Sequence, residues 1–214
     1  MLRAFFVHKF CHFKGGVSMC TEGVIIAAGQ SDRMSPYLKL LLPLNGQSIL
    51  RQSIFSMLPF VSRVFVVTGH RNKDITEHIQ DIERVEIIYN PNHRKGMFSS
   101  VITGVSQVKE EHAFLLPADC PFVSTEVYLK MSQCKEDIVI PSYNNQQGHP
   151  VRLSKSVIQR LIREPEDSSL RSFIQQHSHR LIDVESPEIL MDIDTFEDYQ
   201  AAIHYVSKKE GKYE

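Results

Sequence analysis

The 214-residue sequence lacks an excess of charge of either sign, since 24 lysines and arginines oppose 25 aspartates and glutamates. Nucleic-acid-binding proteins usually carry a basic excess, so no nucleic-acid partner is expected. The sequence also lacks any apolar run near the roughly 18–20 residues that span a bilayer, so no membrane partner is expected. With 42% hydrophobic and 23% charged residues, the composition is that of a folded globular protein.

Cysteine is scarce, and no two cysteines form a CxxC pair: the four are Cys11, Cys20, Cys120 and Cys134. So few cysteines in a chain of this length do not indicate a disulfide scaffold, and we expect a reducing, cytoplasmic location. A chain of this size buries roughly 70% of its unfolded surface, which is enough to fold without covalent staples.

Acidic residues are absent from the first 20 positions, which contain Arg3, Lys9 and Lys14. The apolar cluster at 4–7 is shorter than the roughly 7–15-residue core of a signal peptide. We therefore expect residues 1–22 to be a flexible N-terminal extension and residues 23–214 to form a single domain.

From residue 23 onward, short apolar strands alternate with helical segments. The first half predicts strands over 24–28, 64–68, 85–89 and 113–117, and helices over 47–58, 73–80 and 98–109. The second half predicts strands over 137–141, 149–153, 180–184 and 190–193, and helices over 154–162, 168–176 and 195–206. Strands that are apolar on both faces and alternate with helices indicate a parallel sheet covered on both sides. The expected fold class is therefore α/β, with a three-layer, Rossmann-like, mostly parallel sheet.

The loop after the first predicted strand has the residues of an anion site. Gly29 permits a tight turn whose N–H groups face a ligand, and Arg33 and Lys39 add positive charge. Open α/β sheets bind ligands at this edge. The loop matches neither GxGxxG nor GxxxxGK[ST], which excludes a dinucleotide fingerprint and a P-loop. It predicts phosphate binding, with an ordinary strand-to-loop turn as the alternative.

Acidic residues occur at two further places where chemistry is expected. Asp119 follows the fourth predicted strand, where a carboxylate can hold Mg²⁺ together with substrate phosphates, or can simply cap a turn. Asp192 and Asp194 share one face if 190–193 is a strand. Two carboxylates on one face either bind a cation or repel each other; the other interpretation is that they cap the next helix, for which Thr195 is an N-cap candidate.

Two weaker segments complete the set. Residues 95–100 open a predicted helix with glycine and two hydroxyls, and helix N-termini attract anions. The tripeptide Gly148-His149-Pro150 begins a predicted strand. Taken alone, each of these segments is more often structural than functional.

Together these segments resemble the MobA-like nucleotidyltransferases, from about residue 23 to the end of the chain. The opening signature is Ala27-Ala28-Gly29-x-Ser31-x-Arg33-Met34, followed by Lys39-Leu40-Leu41-Leu42-Pro43. The later matches are Val67-Thr68-Gly69, Asn90-Pro91, Gly96-Met97-x-Ser99-Ser100, Asp119-x-Pro121, Gly148-His149-Pro150 and Asp192-x-Asp194-Thr195-x-x-Asp198. Within this group the chain looks like the molybdenum cofactor cytidylyltransferases.

The resemblance implies a Rossmann-like domain of the nucleotide-diphospho-sugar transferase type. It also implies Mg²⁺-dependent transfer of CMP from CTP to the terminal phosphate of the molybdopterin cofactor, with release of pyrophosphate. Family guanylyltransferases usually have two glycines where this chain has Ala28-Gly29, which favours cytidine. CTP and molybdopterin are then the partners, and a molybdoenzyme or its chaperone is a further partner that the resemblance allows.

The site residues that we expect fall into four groups. The catalytic residues are Arg33, Lys39 and Asp119. The nucleotide-binding residues are Ala27, Ala28, Gly29, Ser31, Arg33, Lys39, Thr68, Gly69, Ser99 and Ser100. The acceptor-binding residues are Gly148, His149 and Arg171. The metal ligands are Asp119 and one of Asp192 or Asp194.

Two alternatives remain open from the sequence. One is a nucleotidyltransferase that uses another nucleoside triphosphate and another phosphorylated acceptor, such as a sugar phosphate. The other is a protein that binds or delivers the molybdopterin cofactor without catalysis.

Overall fold

The computed structural model describes residues 20–29, 34 and 37–210. Ser31, Arg33 and nearly all of the N-terminal extension predicted for 1–22 lie outside the described residues. The described strands are β1 Thr21–Ala27, β2 Pro43–Leu44, β3 Gln47–Ser48, β4 Val64–Thr68, β5 Val85–Tyr89, β6 His112–Pro117, β7 Ile138–Tyr143, β8 Gln146–Gln147, β9 Val151–Ser154 and β10 Arg180–Asp183. The described helices are α1 Ile49–Met57, α2 Asn72–Ile79, α3 Met97–Val105, α4 Thr125–Ser132, α5 Lys155–Leu161, α6 Leu170–Gln175 and α7 Phe196–Glu210.

The central sheet is mixed but mostly parallel. Its strand order is β10-β7-β9-β6-β1-β4-β5, with β8 paired to β7. β1 is parallel to both β4 and β6, and β4 is parallel to β5. β9 is antiparallel to both of its neighbours, β6 and β7. The predicted fold class is confirmed, and β9 and the two-residue β8 are the described strands that run antiparallel to their neighbours.

Helices cover both faces of this sheet, which makes the three layers. On one face α1, α2, α4 and α7 pack over a core that includes Ile54, Ile75, Tyr128 and Ala202. On the other face α3, α5 and α6 pack over a core that includes Val101, Ile158 and Phe173. Strands buried on both sides explain why residues 24–27 of β1 and residues 64–67 of β4 are continuous apolar runs.

The carboxyl ends of β1 and β6 lie side by side. Ile26 pairs with Pro117 in the parallel register, and the N–H of Ala118 donates to the carbonyl of Ile26 at 3.1 Å. The chain continues from β1 to β4 on one side, while β6 lies on the other side of β1. This is a topological switch point, where open α/β sheets form a crevice for ligands.

One predicted strand is wrong. Residues 190–193 do not pair with the sheet, because a short 3₁₀ helix occupies Pro187–Leu190 instead. Proline has a fixed φ and no N–H, so it suits a first helical turn. The N–H of Ile193 then donates to the carbonyl of Asp119 at 3.0 Å rather than to a neighbouring strand.

None of the helices in the described part of the chain combines the length and the apolar character that a bilayer span needs.

Candidate active site

An ion-paired cluster of one lysine and two aspartates lies at the switch-point crevice. Lys39 Nζ lies 2.8 Å from Asp119 Oδ2 and 3.0 Å from Asp194 Oδ1. Lys39 begins the 3₁₀ helix Lys39–Leu41, whose next residue, Leu40, is 5% exposed in the core. Asp119 follows β6 by two residues. The sheet edge and a short helix therefore bring together groups that are far apart in sequence.

The cluster keeps its lysine charged. Burial alone would lower the pKa of Lys39, but the charges and hydrogen bonds of Asp119 and Asp194 outweigh burial and raise that pKa. The lysine side chain is 10% exposed. An ammonium this enclosed needs anionic partners, because a buried unpaired charge costs several kcal/mol.

A capped turn positions Asp194. The hydroxyl of Thr195 accepts the N–H of Asp198 at 3.2 Å, and Asp198 Oδ2 accepts the Thr195 N–H at 2.7 Å. This reciprocal pair starts α7 as expected for an N-cap threonine. The bonds from Thr195 lower the pKa of Asp198. Asp198 therefore fixes the turn.

Asp192 lies near the lysine cluster without joining it, since its charge and that of Asp119 both act on Cys120 and His149. It is exposed and forms no ion pair within the described part of the chain. The expectation that Asp192 and Asp194 share a strand face depended on the strand that is absent. Among the residues that the structure describes, no three histidine, cysteine or acidic side chains gather closely enough to hold a metal ion.

A cleft of about 300 Å³ opens beside the lysine cluster. Of the predicted site residues, six line it: Ala27, Ala28, Gly29, Lys39, Ser100 and Asp119. Within the described part of the chain, a Cβ built on Gly29 would meet no atom within 4 Å, so none of the described residues blocks this side of the backbone.

Three predicted nucleotide-binding residues do not line the cleft: Thr68, Gly69 and Ser99. The Thr68 side chain is buried and hydrogen-bonds to Asn72. Gly69 lies against His93, where a Cβ would be 2.5 Å from the Cβ of His93. Both residues support the cleft from outside it.

An asparagine organises the wall of the cleft formed by residues 93–100. Asn90 Nδ2 donates to the hydroxyls of Ser99 at 3.0 Å and Ser100 at 2.9 Å. Asn90 Oδ1 accepts the N–H of Asn92 at 2.9 Å. Ser100 faces the cleft, whereas Ser99 faces a neighbouring cavity.

Two cleft residues with polar side chains, His93 and Arg94, were not singled out from the sequence. They belong to a 3₁₀ turn, His93–Lys95, directly before Gly96. Arg94 is exposed and has no hydrogen-bond or ion-pair partner within the described residues. The basic run at 93–95 was the signal that could have identified them.

The three predicted acceptor residues, Gly148, His149 and Arg171, line one pocket of about 640 Å³. We call it the amide pocket because its other lining residues include Asn145, Gln146, Gln147 and Gln175. Gly148 is required by close packing, since a Cβ there would lie 2.5 Å from the carbonyl oxygen of Ile189.

His149 lines the amide pocket and also lies near Asp119 of the lysine cluster. Burial lowers the pKa of His149, and the nearby charges of Asp119 and Asp192 oppose that shift only in part. Its Nδ1 is buried and has no hydrogen-bond partner among the described residues. Burial therefore favours the neutral form of this imidazole.

Cys120 follows Asp119 but has no nucleophilic character. The side chain is 2% exposed, and burial together with the Asp119 charge raises the pKa of its thiol well above the ordinary range. A thiol that stays protonated does not attack a substrate.

A lysine and two carboxylates near the backbone of Ala28 and Gly29 are suited to nucleotide chemistry. The profile of the "MobA-like NTP transferase domain" matches residues 23–181. The chain belongs to the MobA-like NTP transferase family. This transferase is 33% identical over 180 residues to the molybdenum cofactor cytidylyltransferase of Escherichia coli K12, covering 84% of this chain and 93% of that one. It is 26% identical over 110 residues to a molybdenum cofactor guanylyltransferase of Shewanella baltica, covering 51% and 54% of the two chains.

Solved structures share the fold of this transferase. A nucleotidyl transferase from Methanothermobacter thermautotroptrophicus superposes with a TM-score of 0.78 at 20% identity, covering 88% of this chain and 98% of that one. Rv0371C of Mycobacterium tuberculosis H37Rv, solved in complex with manganese, gives a TM-score of 0.69 at 20% identity, covering 86% and 98%. At these identities the likeness concerns the fold.

Proposed function

We propose that this nucleotidyltransferase moves CMP from CTP to the terminal phosphate of the molybdopterin cofactor, with Mg²⁺ as cofactor and pyrophosphate as the second product. The observation that carries the proposal is the cluster of Lys39, Asp119 and Asp194 at the switch-point crevice. The 33% identity to a cytidylyltransferase supports cytidine and molybdopterin as the substrates.

The nucleotide would lie in the cleft. The backbone at Ala28 and Gly29 would face the triphosphate, and a Cβ built on Gly29 would meet no described atom within 4 Å. Lys39, which lines the same cleft, would neutralise phosphate charge. Arg33 would add to this charge by its place in the signature motif. Ser100 and Arg94 would contact the nucleotide from the opposite wall.

The carboxylates fit a magnesium ion. Mg²⁺ prefers one or two carboxylates, completed by phosphate oxygens and water. Asp119 and Asp194 meet that preference, because one oxygen of each lies within 3.0 Å of the same lysine nitrogen. When bound, the ion would stabilise negative charge on the phosphates during transfer.

The acceptor would occupy the amide pocket. Side-chain amides both donate and accept hydrogen bonds, which suits the amino and oxo groups of a pterin. Arg171 would bind the acceptor phosphate, since guanidinium groups match phosphate oxygens. His149 would lie where the amide pocket approaches Asp119.

The reaction needs no general base from the protein. A terminal phosphate has a second pKa of about 6 and is largely dianionic at pH 7. One of its oxygens would bond to the α-phosphorus of CTP while the bond to the β-phosphate breaks, releasing pyrophosphate. The protein contributes positioning and charge stabilisation.

The test is a pyrophosphate-release assay with the molybdopterin cofactor, Mg²⁺ and each of CTP, GTP, ATP and UTP. We expect release with CTP. Release with GTP but not CTP would contradict the base assignment and leave the mechanism intact. Absence of release with all four would contradict the proposed acceptor, and a sugar phosphate would then be tested under the same conditions.

A further inference from the structure

Lys39 takes the place of a metal ion between its two carboxylates. Its ammonium contacts Asp119 Oδ2 at 2.8 Å and Asp194 Oδ1 at 3.0 Å. It is therefore an internal cation held by the two side chains that would coordinate a divalent ion. Two positive ions cannot share one carboxylate pair at these distances without strong repulsion.

The lysine has few places to move. Its side chain is 10% exposed, and the backbone at position 39 is held in a 3₁₀ turn by the bond from the Leu42 N–H at 3.1 Å. Leu40, the next residue, is anchored in the core at 5% exposure. The ammonium can therefore move by rotation about the side-chain bonds of Lys39, whereas the backbone at this position stays in place.

The cleft is the space into which the lysine can swing, since Lys39 lines it beside Ala28 and Gly29. Leaving the carboxylates without gaining another anion would expose an enclosed charge to the desolvation cost of burial. The anion expected in this cleft is the triphosphate of a nucleotide. Displacement of Lys39 from the aspartates is therefore favourable only when a triphosphate is present.

We infer that Lys39 makes metal binding depend on nucleotide binding: Asp119 and Asp194 accept a divalent cation only when a nucleoside triphosphate takes over the Lys39 ammonium. The inference rests on the proposed function and extends it to the order of binding. Linkage makes the coupling reciprocal, so the metal strengthens nucleotide binding by the same factor.

The experiment is a Mn²⁺ titration of the free protein followed by the EPR signal of unbound Mn²⁺. No nucleotide and no acceptor are present, so no turnover contributes. Lys39→Met removes the charge with a stem of similar length, and we expect it to bind Mn²⁺ at least about tenfold more tightly than the unaltered protein. Adding Asp194→Asn to Lys39→Met should remove that gain.

A second titration measures the unaltered protein with CTP, against a blank of CTP alone that accounts for metal bound in solution. We expect CTP to confer Mn²⁺ binding on the unaltered protein. Lys155→Met is the matched control, because Lys155 pairs with Glu111 at 3.6 Å and lines none of the described cavities. It should titrate like the unaltered protein.

Equal Mn²⁺ affinity of the unaltered protein and Lys39→Met, without nucleotide, would overturn the inference. Thermal unfolding checks that each variant is folded, and Lys39→Gln replaces Lys39→Met if the methionine variant is not. Pyrophosphate release by the unaltered protein is scored separately. If the unaltered protein releases pyrophosphate but its Mn²⁺ affinity equals that of Lys39→Met, only the inference is overturned. If Lys39→Met binds Mn²⁺ more tightly but the unaltered protein releases no pyrophosphate, only the proposed function is overturned.

Discussion

Gly69 packs against His93 so closely that a Cβ atom at position 69 would lie 2.5 Å from the Cβ of His93. It would also lie 3.0 Å from the Cβ of Ala28. His93 and Ala28 both line the cleft. A glycine at the end of β4 therefore sets the distance between the glycine loop and the basic turn at 93–95.

Gly69→Ala should push His93 away from Ala28 and widen the cleft. Overpacking of this kind costs about 1–3 kcal/mol of unfolding free energy. We expect that loss in denaturant titrations, together with a several-fold rise in KM for CTP. Gly29→Ala is the stability control, because a Cβ at 29 meets no described atom within 4 Å. Equal stability of the two variants would contradict the packing argument.

Asp119→Asn should lower kcat by on the order of 100-fold or more, because metal and charge stabilisation at a phosphoryl centre is worth several kcal/mol. Asp194→Asn should have a similar effect, since both carboxylates hold Lys39. Asp192→Asn should lower kcat by less, because Asp192 forms no ion pair with Lys39 within the described residues. Steady-state pyrophosphate release measures all three. A fall in kcat for Asp192→Asn equal to that for Asp119→Asn would indicate that Asp192 is also a metal ligand.

Arg94→Gln should raise KM for CTP by about tenfold, since a hydrogen bond to a charged group contributes about 1.5–3 kcal/mol. Lys95→Gln is the matched control from the same turn. Lys95 pairs with Glu166 at 2.7 Å and lines the neighbouring cavity. Exposed ion pairs of this kind contribute little to the free energy of unfolding, so losing this one should not disturb the turn. Arg94→Lys should recover part of the loss, and an unchanged KM in Arg94→Gln would show that Arg94 is only a solvated side chain.

Arg171→Gln should raise KM for the molybdopterin acceptor and leave KM for CTP unchanged, because Arg171 lines the amide pocket and not the cleft. The expected change is about tenfold for a lost charged hydrogen bond. Arg163→Gln, an exposed arginine outside both cavities, should behave like the unaltered protein. A parallel rise in both KM values would point to a structural effect of Arg171.

Local sequence patterns were sufficient to predict most of the fold. The strands over 64–68 and 85–89 were predicted at their observed bounds, because each is a short segment rich in β-branched and aromatic residues between polar turns. The strand over 190–193 failed, because local hydrophobicity cannot show that the Ile193 N–H bonds to the loop after β6.

The candidate site was predicted in its residue types and not in its contacts. Lys39 and Asp194 lie 155 positions apart, and no local pattern indicates that they meet. Glu22 is a similar case. This carboxylate is fully buried in β1, where it accepts the N–H groups of Lys109 and Glu110. The sequence contains the acidic residue, but its partners become visible only in the folded chain.

The buried thiol of Cys120, next to Asp119, can serve as a built-in probe of local opening of the loop after β6. Cys120 is shielded and protonated in the closed fold, so an alkylating reagent reaches it only when the loop after β6 separates from its surroundings. The rate of labelling at the Cys120 sulfur, resolved by peptide mass spectrometry, then measures how often the loop after β6 opens. Ligands that hold the loop after β6 in place would slow the labelling, and no external probe would have to be attached.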